Sequence, residues 1–165
     1  MASKQYLNPE TKITFKGSGG DVTLTFASTA DQALAVSAQY DRGTGAKPAL
    51  YRWRIKTQIN ASGTVGKQVR IYLVQTNDAT DIPGRIGTTD AEISSAADRT
   101  RNLGTPIGAA NADVATSATD FIATGVCFVY DRYLSVALFN DMGVALHATE
   151  GNHYFELTPI PPEQQ

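Results

Sequence analysis

The side chains able to do acid–base, nucleophilic or metal chemistry are few in this chain. It has two histidines, His147 and His153, and one cysteine, Cys127. Two imidazoles do not complete a zinc site, and their spacing matches no metal motif, so both are expected as surface or rim residues. Cys127 lies in the apolar run Val126-Cys127-Phe128-Val129 with no activating neighbour, and is expected as a core thiol. Asn77, Asp78 and Asp81 lack the alternating ligand pattern of a calcium loop and read as turn formers. Gly17-Ser18-Gly19-Gly20 and Gly63-Thr64-Val65-Gly66-Lys67 lack the Gly-Lys-Ser/Thr ending of a phosphate loop, so both are expected as turns. Arg42-Gly43-Thr44 reads as a loop tip. No Gly-x-Ser-x-Gly elbow occurs, and Asn60-Ala61-Ser62 is a chance sequon match. The expectation is a non-enzyme without cofactor or metal.

Composition narrows the partners. Charged residues make up 18% of 165 residues, and the net charge is -2. Nucleic acid is not expected as a partner, because phosphate neutralisation needs clustered Lys and Arg and the basic residues here are scattered. No apolar run approaches the ~18 residues of a membrane-spanning helix. The first residues, Met-Ala-Ser-Lys-Gln-Tyr, show no apolar secretory core, so folding in the cytosol is expected. One cysteine makes no internal disulfide.

The elements that must position anything functional are strands. Hydrophobicity repeats every two residues at Val22/Leu24/Phe26, at Leu34/Val36/Ala38/Tyr40 and at Val69/Ile71/Leu73. The clearest case is Tyr51, Trp53, Ile55, Thr57 and Ile59, whose intervening Arg52, Arg54, Lys56 and Gln58 predict a solvent- or partner-facing surface. Residues 76–102 read as a long connection with one short strand or helical turn near Ala91 to Ala97. Further strands are expected at Leu103–Ile107 and at Phe121–Ala123 leading into Val126–Tyr130. Asp131-Arg132 then predicts a tight hairpin to Tyr133–Phe139. Asn140-Asp141-Met142-Gly143 predicts a second hairpin into Val144–Ala148, and Tyr154–Leu157 closes the sheet. Eight or more short strands predict a single-domain, all-β antiparallel sandwich of jelly-roll type.

Both ends differ from this body. Residues 1–12 carry Tyr6, Leu7 and Pro9, and residues 158–165 carry Pro159, Ile160, Pro161 and Pro162, a composition that favours an extended polyproline-type arm. The expected division is an arm over 1–12, a sandwich over 13–157 and an arm over 158–165. An ordered arm needs contacts that offset roughly 1–2 kcal/mol per backbone residue, so these residues, with Arg52 and Arg54, are the expected partner-binding positions.

Three stretches carry a resemblance. They are Asp31–Ala38 with Tyr40–Gly45, the Tyr51–Ile59 strand with Val69–Ala79, and Asp131–Asn140 with Leu157–Pro161. In order and style they resemble the jelly-roll capsid cement, or head decoration, proteins of tailed bacteriophages, over about three quarters of the chain. The segment from about Asp78 to Ala115 departs most from that pattern. The resemblance implies a structural virion protein on the capsid exterior, made in the host cytoplasm. It also implies a homotrimer whose partner is the major capsid protein of the same virus. Two alternatives are a tail or head-fibre adaptor and a carbohydrate-binding sandwich module presenting Tyr51, Trp53, Tyr130 and Tyr133.

Overall fold

The computed structural model describes residues 10–80, 89–95, 104–113, 116 and 118–160. Tyr6, Leu7, Pro9, Pro161 and Pro162 lie outside the described residues. The described chain is all β apart from one short 3-10 turn at Glu150–Asn152, and its two antiparallel sheets pack face to face. The strands are β1 (Ile13–Phe15), β2 (Leu34–Val36), β3 (Tyr40–Asp41), β4 (Leu50–Gln58), β5 (Gln68–Thr76), β6 (Ala91–Ile93), β7 (Thr105–Asn111), β8 (Asp120–Phe128), β9 (Tyr133–Asp141) and β10 (Tyr154–Pro159). One sheet runs β1-β10-β4-β8. The other runs β6-β2-β9-β5-β7, with β3 also pairing β9.

Alternation places the core. On β4, Tyr51, Trp53 and Ile55 are buried while Arg52 and Arg54 face out. Val69, Ile71 and Leu73 of β5 meet them from the opposite sheet, with Phe15, Phe155 and Leu157 filling between. Trp53 stacks on Phe155 with ring centroids 6.5 Å apart. Its indole fits because β7 and β8 each present a glycine to it: a Cβ on Gly108 or on Gly125 would collide with the ring. A smaller apolar cluster of Leu34, Val36, Val74 and Ala137 covers the other face of β2 and β9. The same cluster takes in Val74 of β5, with Tyr72 packed against it.

Several connections differ from expectation. The predicted Asp131-Arg132 hairpin does not form, because β8 pairs β4 in one sheet and β9 pairs β2 and β5 in the other. That short link instead carries the chain between sheets. Alternation specifies a strand's faces but not its neighbour. The second predicted hairpin is also absent: within Val144–Ala148 only Leu146 makes a bridge, an isolated one to Ile59 just past β4. Val22, Leu24 and Phe26 are buried as their spacing predicts, yet they form a single bridge, Val22 to Phe15, in place of a strand. The short element at Ala91 is a strand paired with β2. At the C-terminal end the ladder extends past Leu157, since Thr158 and Pro159 pair with Arg52 and Tyr51, and the Ile160 N–H donates to the Leu50 carbonyl at 2.8 Å. The sheet thus holds three residues expected in the arm.

Candidate interaction surface

Among the described residues, His153, Cys127, Asp78 and Glu150 make structural contacts. His153 is buried, against expectation. Its Nε2–H donates to the His147 carbonyl at 2.8 Å, and its Nδ1 accepts from the Thr57 hydroxyl at 2.9 Å. Burial lowers its pKa and keeps the ring neutral. Cys127 is buried as expected, and desolvation pushes its thiol up to about 11, far from a nucleophilic thiolate. Asp78 Oδ1 accepts from the Thr80 N–H and hydroxyl at 2.8 Å each, the turn geometry its sequence predicts. Glu150 receives the backbone N–H groups of Gly17, Phe26 and Ala27 at 3.1, 3.3 and 3.1 Å, tying the glycine turn to the 3-10 segment. Among the described residues no group of three or more His, Cys, Asp or Glu could hold a metal ion.

Arg42 is the residue that sequence reasoning misplaced. It is buried rather than at a loop tip. Its guanidinium makes a two-pronged pair with Glu10 at 3.2 and 3.1 Å and donates to the carbonyls of Val129, Asp131 and Pro48 and to the Tyr51 hydroxyl. It also lies 5.3 Å over the Tyr51 ring. Glu10 is 32 positions away in sequence, so no local signal announces this clasp. It fixes the Glu10 end of the chain to the link between β8 and β9.

The outer face of the β1-β10-β4-β8 sheet is exposed among the described residues. Sequence reasoning placed Arg52 and Arg54 there, and both are exposed on β4. Lys56 on the same row pairs with Asp120 at 2.9 Å, and Lys12 pairs with Glu156 at 2.7 Å. Arg54 sits 5.6 Å from the Tyr154 ring, but neither arginine has an ion pair among the described residues. The next row was not foreseen. On β8 the inward side chains are Phe121 and Cys127, whereas Ile122, Val126 and Phe128 point out and are 51%, 55% and 55% exposed. Tyr130, 70% exposed, continues the row and stacks on Phe128 at 5.7 Å with rings 4° from parallel. A run apolar in both parities was the available signal, because on an edge strand only one parity reaches the core.

Three features hold this row in place. Val129 N–H donates to Ala49 O, which keeps the strand end on β4. The Gln75 amide then brackets the outer side, donating to Phe128 O at 3.2 Å and accepting from Tyr130 N–H at 2.8 Å. Asn77 does the same one step on, accepting from Arg132 N–H at 3.0 Å. Between Phe128, Val126 and the β7 residues Pro106 and Ile107 opens a cleft of about 430 Å³ floored by Leu73 and Cys127. The aromatic pair is therefore a fixed shelf at the mouth of an apolar cleft.

Fold and surface together define a class: an antiparallel β-sandwich that exposes an apolar row beside two arginines on one sheet. No protein-family model and no curated protein sequence matches the chain. Of the other expected contact residues, Pro159 ends β10 and Ile160 follows it beside β4, on the sheet that carries the arginines.

Proposed function

We propose that this protein is a structural component of a tailed-phage virion. It binds the outer surface of the capsid and stabilises contacts between major capsid subunits. The observation that carries this reading is the exposed row Ile122, Val126, Phe128 and Tyr130, set beside two arginines that make no ion pair among the described residues. Apolar and aromatic residues with Arg are the composition of protein contact surfaces, where a few desolvated side chains supply most of the affinity. A stiff sandwich suits the role, since little order has to be gained on binding. The strand orders β1-β10-β4-β8 and β2-β9-β5-β7 support a jelly roll, with β3 and β6 as additions. The proposed assembly is a homotrimer, and three copies of one contact raise avidity steeply.

Copy number per particle tests the role. A cement protein covers the shell in hundreds of copies, whereas a tail or head-fibre adaptor occurs in a few copies at one vertex. Quantitative mass spectrometry of purified virions showing only a few copies would reject the cement role in favour of the adaptor. The nearly parallel Phe128 and Tyr130 rings favour a second reading, a carbohydrate-binding shelf. Tyr51 and Trp53 cannot join it, being interior. A glycan array without hits removes that reading.

A further inference from the structure

We propose that the outer face of β4 and β8 docks an acidic protein segment, whose carboxylates pair with Arg52 and Arg54 while its apolar side chains cover Ile122, Val126 and Phe128. This rests on the capsid-binding reading and adds to it the face used and the chemistry of the partner.

Charge carries the argument. On this face Lys56 pairs with Asp120, and Glu156, opposite Arg54 in the ladder, pairs with Lys12, so among the described residues Arg52 and Arg54 are the two cations in excess in a chain whose net charge is -2. A local excess of cations on an anionic protein attracts an anionic surface. The two arginines alternate on one strand, so their Cα atoms lie about 6.5–7 Å apart. Carboxylates at that spacing occur two residues apart on a strand or four apart on a helix. Guanidinium groups bind carboxylates two-pronged, which selects acidic protein over a diffuse charge.

Register joins this pair to the apolar row. Val126 lies opposite Arg52, Thr124 opposite Arg54 and Ile122 opposite Lys56. A segment crossing the face therefore meets a cation beside an apolar side chain at Arg52/Val126 and again at Lys56/Ile122, with Arg54 beside Thr124 between them. Nucleic acid is disfavoured, since two arginines neutralise too few phosphates to bind firmly.

The test uses shells assembled from the major capsid protein of the encoding virus, with binding measured at 50 and 500 mM NaCl. Wild-type protein is expected to bind more weakly at the higher salt. R52E/R54E is expected to lose roughly tenfold or more at low salt and to lose the salt dependence. R52K/R54K keeps the charge but not the fork, and should recover part of the loss. V126S/F128S should weaken binding at both salts alike. Val65→Ser, an exposed change outside this face, should leave binding unchanged, and circular dichroism checks that each variant folds. If wild type binds and R52E/R54E binds equally well, this inference fails while the capsid reading stands. If wild type does not bind shells, the capsid reading itself fails. A chain ending at Ile160 that loses the salt dependence would assign the arginines to the protein's own Glu163, and would overturn the proposal. Comparable binding of wild type to phosphatidylserine vesicles and to shells would also overturn it, in favour of a lipid surface.

Discussion

Replacing Arg42 with methionine keeps the side-chain stem and removes the guanidinium. The side chains of Arg42 and Glu10 are only 3% and 7% exposed, so the change strands a carboxylate away from water. It also leaves the carbonyls of Val129, Asp131 and Pro48 and the Tyr51 hydroxyl short of a donor. Breaking a buried pair by removing one partner costs about 3–5 kcal/mol. Lys47 Nζ, 3.8 Å from Glu10 Oε1, can move in and recover part of that, which favours the lower end, about 3 kcal/mol. For a chain of this length each kcal/mol shifts Tm by about 2–4 °C, so Tm should fall by about 6–12 °C. The assay is thermal and urea unfolding of wild type, Arg42→Met and Arg42→Met/Glu10→Gln. The double variant should be more stable than the single one, because it removes the stranded charge. A single variant within about 1 kcal/mol of wild type, or a double variant no better than the single, would refute the view that this pair is buried and coupled.

Four further outcomes follow from the packing. Gly125→Ala or Gly108→Ala should cost about 1–3 kcal/mol by crowding Trp53, and should shift its fluorescence; unchanged emission and Tm would contradict the close approach. Cys127 should resist a thiol reagent at pH 8 in the folded protein and react once unfolded, whereas rapid native labelling would contradict its burial. His153 has its pKa lowered by burial, so the unfolded chain binds the proton more readily than the folded one. Its contribution is present above the unfolded value near 6.5 and is lost as pH falls through and below it; replacing His153 with Gln should flatten that slope between pH 7 and 5. Removing residues 161–165 should leave Tm unchanged, whereas removal from Thr158 onward should lower it by breaking two ladder positions, and equal stability of the two truncations would contradict the register.

Faces were legible in the sequence, and neighbours were not. Period-two spacing placed Tyr51, Trp53 and Ile55 inside and Arg52 and Arg54 outside, because a side chain's face depends only on its own strand. Pairing depends on residues far along the chain. Asp131-Arg132 has the length of a hairpin loop, yet Arg42, Asn77 and Gln75 grip residues 128 to 132 and steer the chain into the other sheet. Val22, Leu24 and Phe26 alternate as a strand would but lack a partner ladder, so burial was predictable there and strand was not. Of the contact surface, the arginine row was visible as charge on one parity. The apolar row was hidden because Val126 and Phe128 look like core until β8 is known to be an edge strand.

Imaging tests the proposed binding of this sandwich to the outside of a capsid most directly. Electron cryomicroscopy of shells lacking the protein, imaged before and after adding it, should show new density of sandwich size over the outer surface at symmetry-related positions. Shells that stay bare at saturating protein would contradict the account.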